Sequence, residues 1–270
     1  MTQQVTDTRE REAELRRLPE EGSCAVRLTS VSMSYSSKEG TTDVLKDLSL
    51  DIRQGDFVSL VGRSGYGKST LLSLIGGLAK ATGGEIEVEG HRVKGPQTQL
   101  GFVFQVPTLL GWRSALDNVM LQAEAKGLSR KDALGRASQL LKAVGLDGFM
   151  DRRPGELSGG MQQRVGVCRA LLHDPSILLM DEPFSALDEI TRDDMNVQLQ
   201  ALWLSDVRTV LFVTHSIREA AFLSDRVIVL AGRPASVVCD LNIDLPRPRT
   251  LEMREESQFG RYVLEVRNAL

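Results

Sequence analysis

No apolar run in this sequence approaches the ~18 residues needed to cross a bilayer. The most apolar stretches, such as Ile177 to Met180 and Thr209 to Val213, have the length of single strands. The N-terminus carries Arg9, Glu10, Arg11 and Glu12 where a secretory signal needs an apolar core. Both absences lead to the expectation of a chain that stays in the cytoplasm. Charge of one sign is lacking too. The formal net charge is -3 over 270 residues, so no electrostatic pull toward nucleic acid is implied and none is expected as a partner. Cysteine is scarce: Cys24, Cys168 and Cys239 are odd in number, far apart and at no metal-ligand spacing. That excludes a disulfide framework or zinc ribbon and leaves reduced structural thiols as the expectation. There is no internal repeat and no low-complexity linker. What the chain does have is 41% hydrophobic residues, enough for a real core in one large domain or a core with sub-lobes.

Residues 1 to about 23 are polar and charged, without a strand pattern. They read as a flexible tail, within which Arg9 to Leu18 has the makings of a short surface helix. From Ala25 the pattern becomes strand-like. Val26, Leu28 and Val31 precede a polar turn near Ser36 to Thr42, and Leu48, Leu50 and Ile52 alternate with polar residues as in a half-buried strand. Phe57 to Val61 reads as a buried strand, Ser69 to Leu78 as the helix after it, and Glu85 to Glu89 as a further strand. Between about 106 and 160 the texture is helical. Ser114 with Asp117 and Ser129 with Asp132 resemble N-caps, and Leu134, Leu140, Leu141 and Val144 predict an apolar helix face. From Ile177 strands and helices alternate, which predicts a parallel sheet. After Gly232 two weak strands and a terminal helix are expected, the helix either packed on the core or left as a solvated end.

Two stretches carry the chemistry. Gly62-Arg63-Ser64-Gly65-Tyr66-Gly67-Lys68-Ser69 is a full Gly-x-x-x-x-Gly-Lys-Ser phosphate loop, with strand before and helix after. Its glycines let backbone N–H groups wrap phosphate oxygens, and the helix start adds its positive end. Lys68 is placed to reach the β- and γ-phosphates and Ser69 to ligate Mg²⁺. Thr70 joins these residues as a nucleotide contact. Ile177-Leu178-Leu179-Met180-Asp181-Glu182-Pro183 is a buried strand delivering two acids at its C-terminal end, where parallel sheets bind ligands. There Asp181 suits Mg²⁺ and Glu182 suits orienting or deprotonating an attacking water.

With Leu157-Ser158-Gly159-Gly160-Met161-Gln162-Gln163 added, the chain resembles the ATP-binding-cassette (ABC) ATPase family over roughly residues 25 to 232. The resemblance implies an α/β fold. It has a P-loop NTPase core of RecA-like type with a parallel sheet, an N-terminal antiparallel β lobe and a helical signature subdomain at about 106–160. The ATPase domain spans 24–231 and a C-terminal extension spans 232–270. It implies ATP and Mg²⁺ as cofactors and a homodimer in which Ser158, Gly159 and Gly160 of one copy meet the γ-phosphate on the other. It further implies that Tyr35 stacks on adenine, though a strand tyrosine is the plainer alternative. Gln105 would touch Mg²⁺ or the lytic water, Asp188 in Ser185-Ala186-Leu187-Asp188 would lie in the loop crossing the dimer interface, and His215 would bond the γ-phosphate, where a lone histidine is otherwise usually structural. Glu182, His215, Lys68 and Gln105 form the implied catalytic set, and Ser69, Gln105 and Asp181 the metal set.

Four features resemble the ATPases of nitrate, sulfonate and taurine importers: the run from Phe104 to Arg113 with Asp117-Asn118-Val119, Met161 where most of the family has glutamine, Glu182-Pro183-Phe184-Ser185-Ala186-Leu187-Asp188 with Thr191-Arg192 after it, and Asp244-Leu245-Pro246-Arg247-Pro248-Arg249. They imply an ATPase on the inner face of the cell membrane. It would work under separate permease subunits that an external solute-binding protein feeds. A lipoprotein-release or cell-division ATPase, or a soluble relative, is the alternative. Gly111, Tyr66, Ser216, Gly166 and Cys168 depart from the family pattern without removing a phosphate or metal ligand. Gly166 is expected to cost its helix up to ~1 kcal/mol relative to Ala.

Overall fold

The computed structural model describes residues 23–37 and 40–270. The short helix expected at Arg9 to Leu18 and nearly all of the expected tail lie outside the described residues. The described elements begin with strands β1 (Cys24–Ser37), β2 (Gly40–Arg53) and β3 (Phe57–Val61), helix α1 (Lys68–Ile75), and strands β4 (Gly83–Val88), β5 (His91–Arg92) and β6 (Gly101–Val103). Helices α2 (Ala115–Lys126), α3 (Arg130–Ala143) and α4 (Gly159–Leu171) follow. The chain then runs through β7 (Ile177–Asp181), α5 (Glu189–Ser205), β8 (Thr209–Thr214), α6 (Ile217–Leu223), β9 (Arg226–Gly232), β10 (Ala235–Asn242) and α7 (Ser257–Asn268).

Among the described residues the strands form one ten-stranded sheet in the order β5-β4-β1-β2-β10-β9-β3-β8-β7-β6. One half is parallel: β3 lies between β9 and β8, followed by β7 and β6. The other half is antiparallel, with β1 between β2 and β4. β10 joins the halves, antiparallel to β9 and parallel to β2 where Ala235 meets Leu45. Residues 232–270, expected to extend past the ATPase domain, thus supply a strand from the middle of the sheet. One strand forms there instead of two. The segment from Leu245 to Arg249 carries two prolines, which cannot donate to a ladder.

Period-two alternation sorts the central strands onto two faces. Val58, Leu60, Leu179, Leu211 and Val213 face α1 and the β lobe, packing with Leu71, Leu72 and Ile75. Phe57, Val61, Leu178, Met180, Val210 and Phe212 face the other way, packing with Leu199, Trp203 and Phe222. The terminal helix docks on this second face through buried Phe259 and Val266. A third core holds the helical lobe and reaches past residue 160, because Val165 and Cys168 of α4 pack with Val119, Met120 and Leu141.

The apolar face of α3 differs from the expected one. Leu134 is exposed, and the buried line is Ala133, Ala137 and Leu141, continued by Val144. Small alanines let α3 approach its neighbours, and the face turns by one residue as a result. Ser114 caps α2 as expected, accepting from Asp117 N, whereas Ser129 begins α3 without a side-chain cap bond. No helix among the described residues is long and apolar enough to cross a membrane.

Candidate nucleotide-hydrolysis site

β3 is buried at all five positions and delivers the chain into the phosphate loop at the C-terminal edge of the parallel half. Two glycines are fixed there by close approach. A Cβ on Gly62 would stand 2.5 Å from Leu230 O, and one on Gly67 would stand 2.7 Å from Leu45 Cδ2. Gly67 also has φ +75, a left-handed conformation that side chains resist. The returning arm of the β1–β2 hairpin, through Val44 and Leu45, therefore lies against the loop. Tyr35 sits on the same hairpin, paired with Thr42 and 48% exposed.

Lys68 is almost fully buried, and its ammonium is held inside the loop. Nζ donates to Gly62 O (2.7 Å) and Arg63 O (3.2 Å) and lies 3.8 Å from Glu182 Oε1. Burial pushes its pKa below the ordinary value, opposed by the charges of Glu182 and Asp181. Ser69 Oγ donates to Asp181 Oδ1 at 2.9 Å. Burial pushes the Asp181 carboxyl up, with the neighbouring Glu182 adding to the shift and the Ser69 bond opposing it. A hydroxyl beside one half-buried carboxylate suits a small hard cation that takes its remaining oxygens from water and phosphate. The residues present fit Mg²⁺.

Glu182 follows β7 in a left-handed turn, φ 42, with its N–H donating to Val213 O (3.0 Å). That turn swings the carboxylate over the loop, where Oε2 lies 3.4 Å from His215 Nδ1. Gln105 enters the same cluster, since its Nε2 donates to Ser185 Oγ (3.3 Å), which donates to Glu182 O (3.0 Å). Lys68, Ser69, Asp181, Glu182, Gln105 and His215 are thus linked by direct contacts, with Ser185 as a bridge that motif reading passes over. The helix start at Lys68 places Thr70 in the first turn of α1, while Arg63, Ser64 and Tyr66 lie on the loop itself.

The remaining candidates form a second group. Ser158 caps α4, its Oγ accepting from Met161 N (3.3 Å), and both Ser158 and Gly159 are exposed. Gly160 faces inward, where a Cβ would stand 3.0 Å from Thr191 Cγ2. Asp188 caps α5, accepting from Thr191 N (3.0 Å) and Thr191 Oγ1 (2.7 Å). Those bonds hold its carboxyl below the usual carboxylate range. Motif reading also misses the ties between α4 and the loop after Gln105. Gln163 donates to Phe104 O (3.3 Å), and Arg169 donates to Pro107 O (2.7 Å), Thr108 O (3.0 Å) and Thr108 Oγ1 (3.1 Å). Buried Gln163 and Arg169 in the last turn of α4 are ordinary in a linear sequence, and only packing reveals their partners.

Residues 45–185 match the ABC transporter family. The nitrate import ATP-binding protein of Synechocystis is 40% identical over 91% of this chain and 94% of its own length. The taurine import ATP-binding protein of Rhizobium johnstonii is 42% identical over 86% of this chain and 94% of its own length. A solved dimeric structure of an ATP-binding cassette in a post-hydrolysis state, bound to ADP and phosphate, superposes with TM-score 0.73 at 35% identity, covering 82% of this chain and 100% of that one. Motifs, sheet and matched length agree, and the chain belongs to the ABC transporter family as an ATP-binding cassette.

Proposed function

We propose that this chain is the ATP-hydrolysing subunit of an importer, working as a homodimer under separate permease subunits at the inner face of the cell membrane. One observation carries the hydrolytic reading. The Glu182 carboxylate stands between Lys68 Nζ (3.8 Å) and His215 Nδ1 (3.4 Å) at the end of the strand that also delivers Asp181. A nucleotide bound on the loop has its phosphates at Lys68 and the α1 N–H groups, its adenine against Tyr35, and contacts from Arg63 to Thr70. Ser69 and Asp181, with Gln105 beside them, would hold Mg²⁺, which when bound would neutralise charge on the phosphate oxygens. Glu182 orients the attacking water and takes its proton, while Lys68 and His215 stabilise the charge that develops on the γ-phosphoryl group.

The exposed Ser158 and Gly159 support a second protomer, whose phosphate loop they meet while Asp188 lies at the shared interface. Coupling to a permease is supported by the loop after Gln105. Val106 and Trp112 are 67% and 72% exposed, and Arg169 ties this loop to the signature helix, so the two move together. The import direction and a small anionic cargo of the nitrate, sulfonate or taurine kind rest on the named relatives, and delivery by an external solute-binding protein is part of the same reading. The cargo itself touches the permease and not this chain.

Glu182→Gln is expected to lower ATP hydrolysis by about 100-fold or more while an ATP-bound dimer accumulates on a sizing column. Unchanged turnover in that variant would refute Glu182 as the base. Purification of the tagged chain from native membranes is expected to bring down a multi-span permease. Recovery with a protein built mainly of extracytoplasmic domains would end the importer reading and leave the ATPase reading standing.

A further inference from the structure

His215 is flanked by two residues that Glu219 grips at once. Glu219 lies in the first turn of α6 and is 5% exposed. Its carboxyl accepts a hydrogen bond from Thr214 Oγ1. Its backbone N–H donates to Ser216 Oγ (3.3 Å), and the Ser216 N–H donates in turn to Thr214 Oγ1 (3.0 Å). These three bonds close around His215, with Thr214 before it and Ser216 after it. The backbone of Thr214 is itself pinned, since β8 pairs it with Val61 at the mouth of the phosphate loop.

This is more than a helix cap. In a capping box the acidic side chain returns to the N–H of the capping residue. Here that N–H goes to Thr214 Oγ1, and the carboxyl reaches past it to the residue before the histidine. The second carboxyl oxygen, Oε1, is buried and has no hydrogen-bond partner among the described residues. The charges facing Glu219 are Arg192 and Asp193 of α5 and Arg254 of the turn at Leu251–Glu255. Arg192 also donates to Phe184 O (3.3 Å) and Leu187 O (2.6 Å). It therefore holds the backbone of the loop that starts at Glu182 and ends at Asp188. Glu219 lies between the His215 turn and the residue that shapes the Glu182 loop.

We propose that Glu219 is a positioning residue for ATP hydrolysis, fixing the His215 turn through Thr214 and Ser216 so that the imidazole meets Glu182. The proposal rests on the reading of this chain as an ATPase with His215 in its site. Because Glu219 is buried and its hydrogen bonds run to Thr214 and Ser216 rather than to the phosphate loop, its loss is expected to act on the chemical step and not on nucleotide binding. Because it acts through the Thr214 hydroxyl, the effects of removing the two groups do not multiply.

The test is steady-state ATP hydrolysis by the full chain, per nucleotide-binding subunit, for Glu219→Ala, Glu219→Gln, Thr214→Val, the Glu219→Ala/Thr214→Val double variant and His215→Ala. Glu219→Ala and Thr214→Val are each expected to lower kcat about tenfold or more with KM within about twofold of wild type. The double variant is expected to be no worse than the weaker single variant. Glu219→Gln keeps an acceptor for Thr214 and is expected to recover most of the lost turnover. A Glu219→Ala protein with wild-type kcat beside an inactive His215→Ala protein overturns the proposal and spares the ATPase reading. Multiplying losses in the double variant overturn it too. A fully active His215→Ala protein removes the underlying assignment of His215 instead. Should Glu219→Ala fail to fold, Thr214→Val decides alone, and an unchanged kcat there overturns the proposal.

Discussion

Glu219 carries a cost at neutral pH that its surroundings offset only in part. Burial pushes its carboxyl from the usual 4.5 up to about 7, against the Thr214 hydrogen bond and the pull of Arg192 and Arg254. The folded-state pKa is raised above the unfolded one. The favourable contribution is therefore complete below pH 4.5 and is lost as pH rises through about 7, a swing of about 3 kcal/mol. Glu219→Gln removes the titration, so its thermal stability relative to the native chain is expected to rise between pH 5 and pH 8. A gap that stays constant over that range would show that the carboxyl does not titrate there. At this scale the sequence was informative wherever chemistry sits in one contiguous stretch. Lys68-Ser69 and Asp181-Glu182 are legible because a loop or a strand end presents neighbours together. Gln105 to Ser185 and Thr214 to Glu219 are tertiary or side-chain geometries, and spacing does not encode them.

Helix α4 shows how packing and propensity divide the same element. Gly166 lies inside it with helical backbone, and a Cβ there would stand 3.8 Å from Pro107, an ordinary contact. Gly166→Ala is thus expected to add up to ~1 kcal/mol of stability, raising Tm by about 2–4 °C for a chain of this size. Gly160 stands on the same helix, but a Cβ there meets Thr191 Cγ2 at 3.0 Å, so Gly160→Ala is expected to melt no higher than the native chain. Equal gains from both substitutions would contradict this packing. The sequence shows the helix and its propensity penalty but not which glycine has room. The same limit explains α3, where periodicity marks a helix but sets the buried face one residue away from Ala133 and Ala137. Leucine carries more hydrophobic weight than alanine in a pattern, yet alanine is what close helix approach selects.

For the whole molecule, the candidate residues fall into two groups on one chain. Lys68, Asp181, Glu182 and His215 form one contact cluster, and exposed Ser158 and Gly159 stand at the start of α4. The proposed meeting of Ser158 with the phosphate loop of a second copy predicts a defect in trans. Ser158→Arg is expected to leave ATP binding by the single chain largely intact while abolishing ATP-dependent dimerisation, read by light scattering in the Glu182→Gln background. Loss of all nucleotide binding would speak against a shared site. The alternation of strands and helices after Ile177 made the parallel half of the sheet legible. The strand order was not, because pairing between Leu45 and Ala235 is a long-range choice that no local pattern records.

That pairing has a consequence for biogenesis. β10 separates β2 from β9 in the finished sheet, yet Leu45 leaves the ribosome long before Ala235 does. While the chain is growing, the hairpin lobe and the parallel half have no strand to join them, and the edges of β2 and β3 stand open until β9 and β10 follow one another out. Contacts so distant in sequence form late, and open edges recruit other strands. The nascent protein passes through a stage in which its two halves wait for one late pair of strands, and it is then that a chaperone has the most to protect.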